Sequence, residues 1–192
     1  MANHVSGHFR HKGLNPTAQK VWDEYVVKKL DNHKDGYEVH LGHYLFEEKE
    51  GEFVDWDFNK MCEEIGAKWA YANDWDEDFV NVYSAWSPVI EWCEMVARAV
   101  GAADSEAEFI LTYEDEMPNF IGVASFTRHG LDDQSEIDYD EIREKCINDC
   151  SELAEMWDED EEDWKEDKED EANELMRELQ YEVIHEWQEG AI

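Results

Sequence analysis

The side chains that could do chemistry in this sequence are overwhelmingly carboxylates. The 192 residues include 51 Asp and Glu against 16 Lys and Arg, which gives a formal net charge of −35. The densest run is DEDEEDWKEDKEDE, residues 158–171. Because like charge repels, this composition disfavours direct binding of nucleic acid or of an anionic membrane and favours a basic protein partner.

The carboxylates of this run are the candidate partner-binding residues, each standing in for a DNA phosphate. If the run is helical, it spans about 21 Å with one net charge per about 2.3 Å. B-form DNA carries one charge per about 1.7 Å of its axis. A surface of comparable density can occupy a DNA-binding groove. The candidates are Asp158, Glu159, Asp160, Glu161, Glu162, Asp163, Glu166, Asp167, Glu169, Asp170 and Glu171.

Two ordinary explanations compete with mimicry for this acidity. A charge run is usually a solvated helix face or a disordered tail. Adaptation to high salt also raises acidity, but it spreads the acids evenly along a chain. Here residues 1–50 are near neutral, 51–130 carry a net −13 and 131–192 a net −21. The gradient therefore favours a localised use of the charge.

Other residue patterns give weaker indications of chemistry. Asp74, Asp76 and Asp78 have the spacing of a calcium loop, but Phe79 stands where the loop glycine is required. A second pattern, formed by His4, His8 and His11, lacks the cysteine pair of a zinc site. We expect neither a metal nor a cofactor.

The sequence contains no motif typical of nucleophilic catalysis. There is no nucleophile elbow and no phosphate-cradling glycine loop, and Ser87 is better explained as a helix N-cap.

The four cysteines at positions 62, 93, 146 and 150 are expected to be reduced, small apolar residues. Residues 1–12 lack the apolar region of a signal peptide, and no window is apolar enough to span a membrane. We therefore expect a cytoplasmic protein that is not an enzyme.

The elements that must position these residues fall into two regions, residues 1–130 and 131–192. The first predicts an α+β domain, with an antiparallel or mixed sheet and helices on one face. Its core is expected to include Trp69, Trp86 and Trp92. The predicted elements are strands over 5–9, 37–46, 68–72, 79–86, 107–113 and 119–126, and helices from Asn15-Pro16, around 58–65 and from Ser87-Pro88 to Gly101.

The second region is predicted to be an acidic helical extension. Residues 138–189 contain no Pro and no Gly, and apolar residues recur at helical spacing. This pattern predicts two amphipathic helices, or one long helix with a solvated middle. The later apolar positions, Leu175, Leu179, Val183 and Trp187, could pair the helices of two copies in a homodimer.

Residues 66–126 carry a resemblance to a known family. The stretches GAKWAY (66–71), VYSAWSPVIEW (82–92) and YEDEMPNFIGV (113–123) resemble the YubB/Api92-like family of small phage and plasmid proteins. Val89 departs from the family's second proline, and Met117-Pro118 stands where a glycine is common. The resemblance implies a ferredoxin-like sheet and a mobile-element origin, and it transfers no catalytic residues.

Two functions follow from these observations. The first is a DNA-mimic inhibitor, encoded by a phage or plasmid, that occupies the DNA-binding groove of a restriction or CRISPR effector in the bacterial cytoplasm. The alternative is a self-associating structural or accessory protein with a solvated acidic helix. An enzyme with an unrecognised site has the least support in the sequence.

Overall fold

The computed structural model describes residues 3–34, 36–46, 57–116, 119–161 and 163–190, with the side chains of Tyr181 and of 183–190 outside this description. The strands are β1 (His4–His11), β2 (Val39–His40), β3 (Ala70–Trp75), β4 (Phe79–Ala85), β5 (Phe109–Asp115), β6 (Phe120–Thr127), β7 (Gly130–Asp138), β8 (Trp157–Asp158) and β9 (Asp163–Trp164). The α-helices are α1 (Pro16–Trp22), α2 (Lys28–Asn32), α3 (Phe58–Glu64), α4 (Ile90–Gly101), α5 (Tyr139–Asp149), α6 (Ser151–Met156) and α7 (Glu169–Gly190).

Seven strands form one antiparallel sheet in the order β2-β3-β4-β1-β5-β6-β7. The first strand is central, because it pairs with β4 on one side and with β5 on the other. Phe9, for example, lies opposite Val80 in β4 and opposite Leu111 in β5. The prediction of an α+β protein with an antiparallel sheet is confirmed.

One face of the sheet packs against α1 and α4. Phe9 lies at the centre of this first core, with its ring centroid 6.1 Å from that of Trp22 and 5.6 Å from that of Trp92. The first helix begins as predicted, because the Asn15 side chain accepts hydrogen bonds from the backbone N–H groups of Thr17 and Ala18. A π-helical turn, Asp23–Val27, joins α1 to α2.

The opposite face carries helices as well, but only over the β5–β7 half. Successive residues of a strand point to opposite faces, and Ile121 therefore leaves the first core that Ala124 joins. It belongs to a second core, with α5, α6 and α7 packed over it. This second core consists of Ile121, Ile142, Cys146, Leu153, Met156, Trp164, Ala172 and Met176.

Strand β7 differs from the sequence-based expectation. The sequence assigns residues 131–137 to the acidic helical extension, but residues 130–138 pair with β6 along its length, from Thr127↔Gly130 to Phe120↔Asp138. Its sequence, GLDDQSEID, has no alternating apolar residues, because this strand lies at the edge of the sheet and most of it is exposed. The predicted strand over 37–46 is shorter than expected, with β2 followed by a 3₁₀ helix over Leu41–Tyr44.

The strand-to-helix corner before α4 corrects two further predictions. Trp86 is 66% exposed and does not enter the core, whereas Trp92 is fully buried as expected. Trp69 is half-buried. The Ser87 hydroxyl does not cap the helix but donates to the carbonyl oxygen of Gly66 at 2.5 Å.

The cysteines also divide differently from the prediction. All four are free, with Cys93 and Cys146 buried but Cys62 exposed on α3. No helix in the described parts of the chain combines the length and the apolar character that a membrane span requires.

Candidate partner-binding surface

The acid-rich run, residues 158–171, does not form one continuous helix. The chain turns extended at Trp157, and the short strands β8 and β9 form a hairpin with Trp157 opposite Trp164 and Asp158 opposite Asp163. Helix α7 begins only at Glu169. The acids are therefore gathered around a folded-back turn instead of being strung along an axis.

Two tryptophans hold the base of this hairpin. Their ring centroids are 5.0 Å apart in an edge-to-face arrangement. Trp164 is only 6% exposed and belongs to the second core, and its indole N–H donates to the Tyr139 hydroxyl at 3.3 Å. The Arg143 guanidinium lies 4.7 Å from the centroid of the Trp157 ring. These contacts fix the acidic turn to the body of the protein.

The candidate acids differ in how their carboxylates are used. Oδ1 of Asp158 accepts from the backbone N–H groups of Asp160, at 3.0 Å, and Glu161, at 3.3 Å. The side chain of Asp158 thus shapes the turn. Glu159, Asp160 and Glu161 at its tip are exposed. Glu162 lies outside the described residues.

The segment after the hairpin turns back into α7. Asp163, Glu166 and Asp167 are exposed. Glu169, Asp170 and Glu171 occupy the first turn of α7, where negative charge is favourable to the helix dipole. Those three acids therefore have a local stabilising role in addition to any contact with a partner.

The two lysines within the run are engaged inside the segment. Lys165 Nζ donates to the carbonyl oxygen of Glu155 at 2.5 Å. Lys168 Nζ lies 2.6 Å from Glu171 Oε2, and the hydrogen bond to Glu171 raises the pKa of Lys168. Neither lysine neutralises the carboxylates at the tip of the turn through these contacts. Glu159, Asp160, Glu161 and Asp163 together form an exposed surface, the acidic tip.

The residues proposed for self-association lie partly inside the protein. Leu175 and Leu179 pack against the second core of their own chain, beside the buried Ala172 and Met176. The side chains of Val183 and Trp187 lie outside the described residues. The exposed edge strand β7 carries Asp132, Asp133, Glu136 and Asp138, charges that oppose pairing with another strand.

The weaker chemical patterns are not assembled into sites. His4 and His8 share one face of β1, whereas His11 faces the other side and packs edge-to-face on Trp22 at 4.9 Å. In the calcium-like spacing, Asp76 Oδ1 accepts from the Glu77 backbone N–H at 2.8 Å. Within the described ranges, no group of three His, Cys, Asp or Glu side chains could hold a metal ion.

Sequence reasoning found the acids but missed the residues that position them. Tyr139, Arg143 and Lys165 hold the hairpin, and each was an undistinguished member of a helical pattern. The sequence does contain one indication of the turn, because an Asp followed by polar residues is typical of a side-chain-to-backbone turn. Comparison with family models, with curated proteins and with solved structures found no match to the chain.

Proposed function

We propose that this protein is a DNA mimic that inhibits a host DNA-binding defence protein, such as a restriction or CRISPR effector, by occupying its basic groove. The observation that carries the proposal is the acidic tip. Its carboxylates are exposed on a turn anchored by the buried Trp164. A fixed cluster of exposed negative charge can be recognised by the lysines and arginines that otherwise bind phosphates.

The folded hairpin changes the form of the mimicry from that expected of a straight helix. Asp158 and Asp163 face each other across the two strands, where opposed Cβ atoms lie about 4.5–5.5 Å apart. Like charges at that separation destabilise the free protein, and a basic groove would relieve this repulsion on binding. We infer that binding energy comes from the local density of carboxylates.

The proposal includes a ferredoxin-like origin for the first part of the chain. Omitting β2 and the short α3, the elements run β-α-β-β-α-β from β1 to β5, and these strands lie in the order β3-β4-β1-β5. That order and the alternation of elements support a ferredoxin-like unit. A phage or plasmid origin, a place in the bacterial cytoplasm and the absence of catalysis belong to the same proposal.

Affinity capture with matched charge variants tests the proposal. The protein would be immobilised and exposed to lysate from bacteria that carry restriction and CRISPR systems, and bound proteins would be eluted with a salt gradient. The test variant is Glu159→Gln, Asp160→Asn, Glu161→Gln, Asp163→Asn. The control neutralises four exposed acids elsewhere, Glu63, Glu106, Asp132 and Glu174. Both variants raise the net charge of −35 by the same four units.

We expect a DNA-binding enzyme to be retained by the native protein and by the control, and duplex DNA to compete for it. Four exposed ion pairs contribute about 0.2–1 kcal/mol each, so the tip variant should bind roughly 4- to 900-fold more weakly. Equal retention by the two variants would show that only overall charge matters. Recovery of the bait alone would favour the alternative of self-association, which light scattering then tests.

A further inference from the structure

The corner between β4 and α4 holds an exposed tryptophan in an unfavourable backbone conformation. Trp86 has φ 73°, in the left-handed region that bulky residues avoid, and it is 66% exposed. Its backbone N–H donates to the Asn3 carbonyl oxygen at 3.0 Å. A second hydrogen bond, from Ser84 Oγ to the Ser87 carbonyl oxygen at 2.6 Å, also holds the corner. Such strain with no packing benefit marks a candidate functional position.

A buried carboxylate lies beside this tryptophan. Asp115 ends β5 and is only 5% exposed. Its Oδ2 accepts from the side-chain amides of Asn3, at 3.3 Å, and Asn119, at 2.5 Å. Its Oδ1 is buried and has no hydrogen-bond partner in the described part of the chain. A buried carboxylate oxygen without a donor is costly, and a cation held close to the carboxylate would offset part of that cost.

These residues line one depression of about 410 Å³, formed by Asn3, Trp86, Asp115, Asn119 and Phe120. Its one charged group is the Asp115 carboxylate, to which the side-chain amide nitrogens of Asn3 and Asn119 both donate. Its apolar groups are two aromatic rings. A single carboxylate is too few for a divalent ion that takes six or more oxygen ligands, and it repels anions. The lining suits a planar organic cation.

We propose that this depression binds the guanidinium group of an arginine side chain carried by a peptide. A guanidinium is planar and positively charged and stacks on aromatic rings, so it can cover Trp86 while its charge is attracted by the Asp115 carboxylate. No described cationic side chain lines the depression to receive an α-carboxylate. An arginine within a peptide therefore fits better than the free amino acid.

The site lies at the same end of the sheet as the acidic tip. Phe120 in its lining pairs with Asp138, and the next residue, Tyr139, accepts the Trp164 hydrogen bond that anchors the hairpin. The inference does not rest on DNA mimicry, because arginine binding is measured directly on the isolated protein.

Nuclear magnetic resonance titration tests the site. Uniformly ¹⁵N-labelled protein would be titrated with N-acetyl-arginine methylamide at constant ionic strength, with the uncharged citrulline analogue as the matched ligand. We expect a saturable shift of the Trp86 indole signal, assigned by its loss in Trp86→Gly, with a Kd on the order of 1 mM. The citrulline analogue and free arginine should both bind more weakly, the former by about tenfold.

Variants separate local recognition from overall charge. Asp115→Asn should weaken binding by about tenfold, whereas Asp133→Asn, which removes the same charge from β7, should change it less than about twofold. Equal effects of the two variants would overturn the proposal, as would the absence of a saturable shift up to about 50 mM or equal binding of the citrulline analogue. If Asp115→Asn does not fold, two results decide: the comparison of the arginine and citrulline ligands, and weaker binding by Trp86→Gly, read from the backbone amide signals of Asn119 and Phe120. The glycine accepts a positive φ, so this variant should fold.

Discussion

Replacement of Trp164 by alanine tests whether the acid-rich run is held by the fold or is a free tail. Trp164 is 6% exposed, contacts Trp157 edge-to-face and donates a hydrogen bond to Tyr139. A buried aromatic side chain removes about 150–250 Å² from water, which at about 25 cal/mol per Å² is worth about 4–6 kcal/mol as an upper limit. We expect Trp164→Ala to cost about 3–5 kcal/mol, the usual range for such truncations.

The loss should be concentrated in the second core. Ile121 joins that core from the sheet, while the first core lies on the opposite face. Hydrogen exchange measured by mass spectrometry should therefore show faster exchange across residues 139–180, with β1 and α4 still protected. Chemical denaturation should show a lower midpoint or a separate early transition.

Trp86→Gly is the matched control, since it removes a tryptophan that is 66% exposed. Its φ of 73° suits glycine, so this variant should be as stable as the native protein or slightly more stable. If Trp164→Ala and Trp86→Gly had the same unfolding midpoint and the same exchange pattern, the anchored hairpin would be wrong. The acidic run would then be a solvated tail, and the rigid surface proposed for partner binding would be lost.

Three further outcomes follow from the structure. Gly122→Ala should destabilise the protein by about 1–3 kcal/mol in urea denaturation, because an added Cβ would meet the Tyr113 ring that lies over Gly122; unchanged stability would show that the ring moves freely. Burial lowers the pKa of His40 to about 4, so the folded state takes up this proton less readily than the unfolded state, and stability is lost as the pH falls from about 6.5 toward 4. The difference in unfolding free energy between the native protein and His40→Asn, which keeps an acceptor for the Gly42 N–H, should show this loss, and a difference independent of pH would contradict it. Finally, the net charge of −35 predicts a Tm that rises as sodium chloride increases from about 0.01 M to 0.5 M, since salt screens self-repulsion. A Tm that does not change would mean that charge repulsion destabilises the folded and the unfolded chain equally.

If both proposed surfaces act, the protein offers a basic partner two kinds of contact. The acidic tip supplies several exposed carboxylates, which favour long-range attraction and a fast encounter. The depression beside Trp86 offers one buried carboxylate oxygen and an exposed indole, which favour a single arginine in a defined geometry. The salt dependence of binding should then be steep for the tip and shallow for the depression.

Much of the first core could be predicted from local sequence. The alternation of Phe109, Leu111 and Tyr113 has the period of a strand, and the structure places all three in the first core. Asn15 followed by Pro16 predicted the start of α1, and the cap has the expected hydrogen bonds. Patterns of this kind can be recognised from sequence because each side chain and the local structure that it favours lie within a few residues of each other.

In the C-terminal region, the local sequence pattern does not determine the secondary structure. Residues 138–189 contain no Pro or Gly to stop a helix, yet the chain leaves α5 at Cys150 and turns extended at Trp157. The hairpin forms because Trp157 and Trp164 contact each other and Trp164 is buried in the second core. Tertiary packing of two aromatic rings outweighs helix propensity here.

The sequence by itself determined the charge, its concentration toward residues 131–192, the α+β class and the apolar faces of the central strands, since each depends on residue type and short spacing alone. Only the tertiary structure decided that β7 completes the sheet, that helices cover part of its second face and that Trp86 is exposed. It also brought Asn3 to Asp115, residues 112 positions apart. Contacts of such separation depend on how the whole chain closes, which no local pattern encodes.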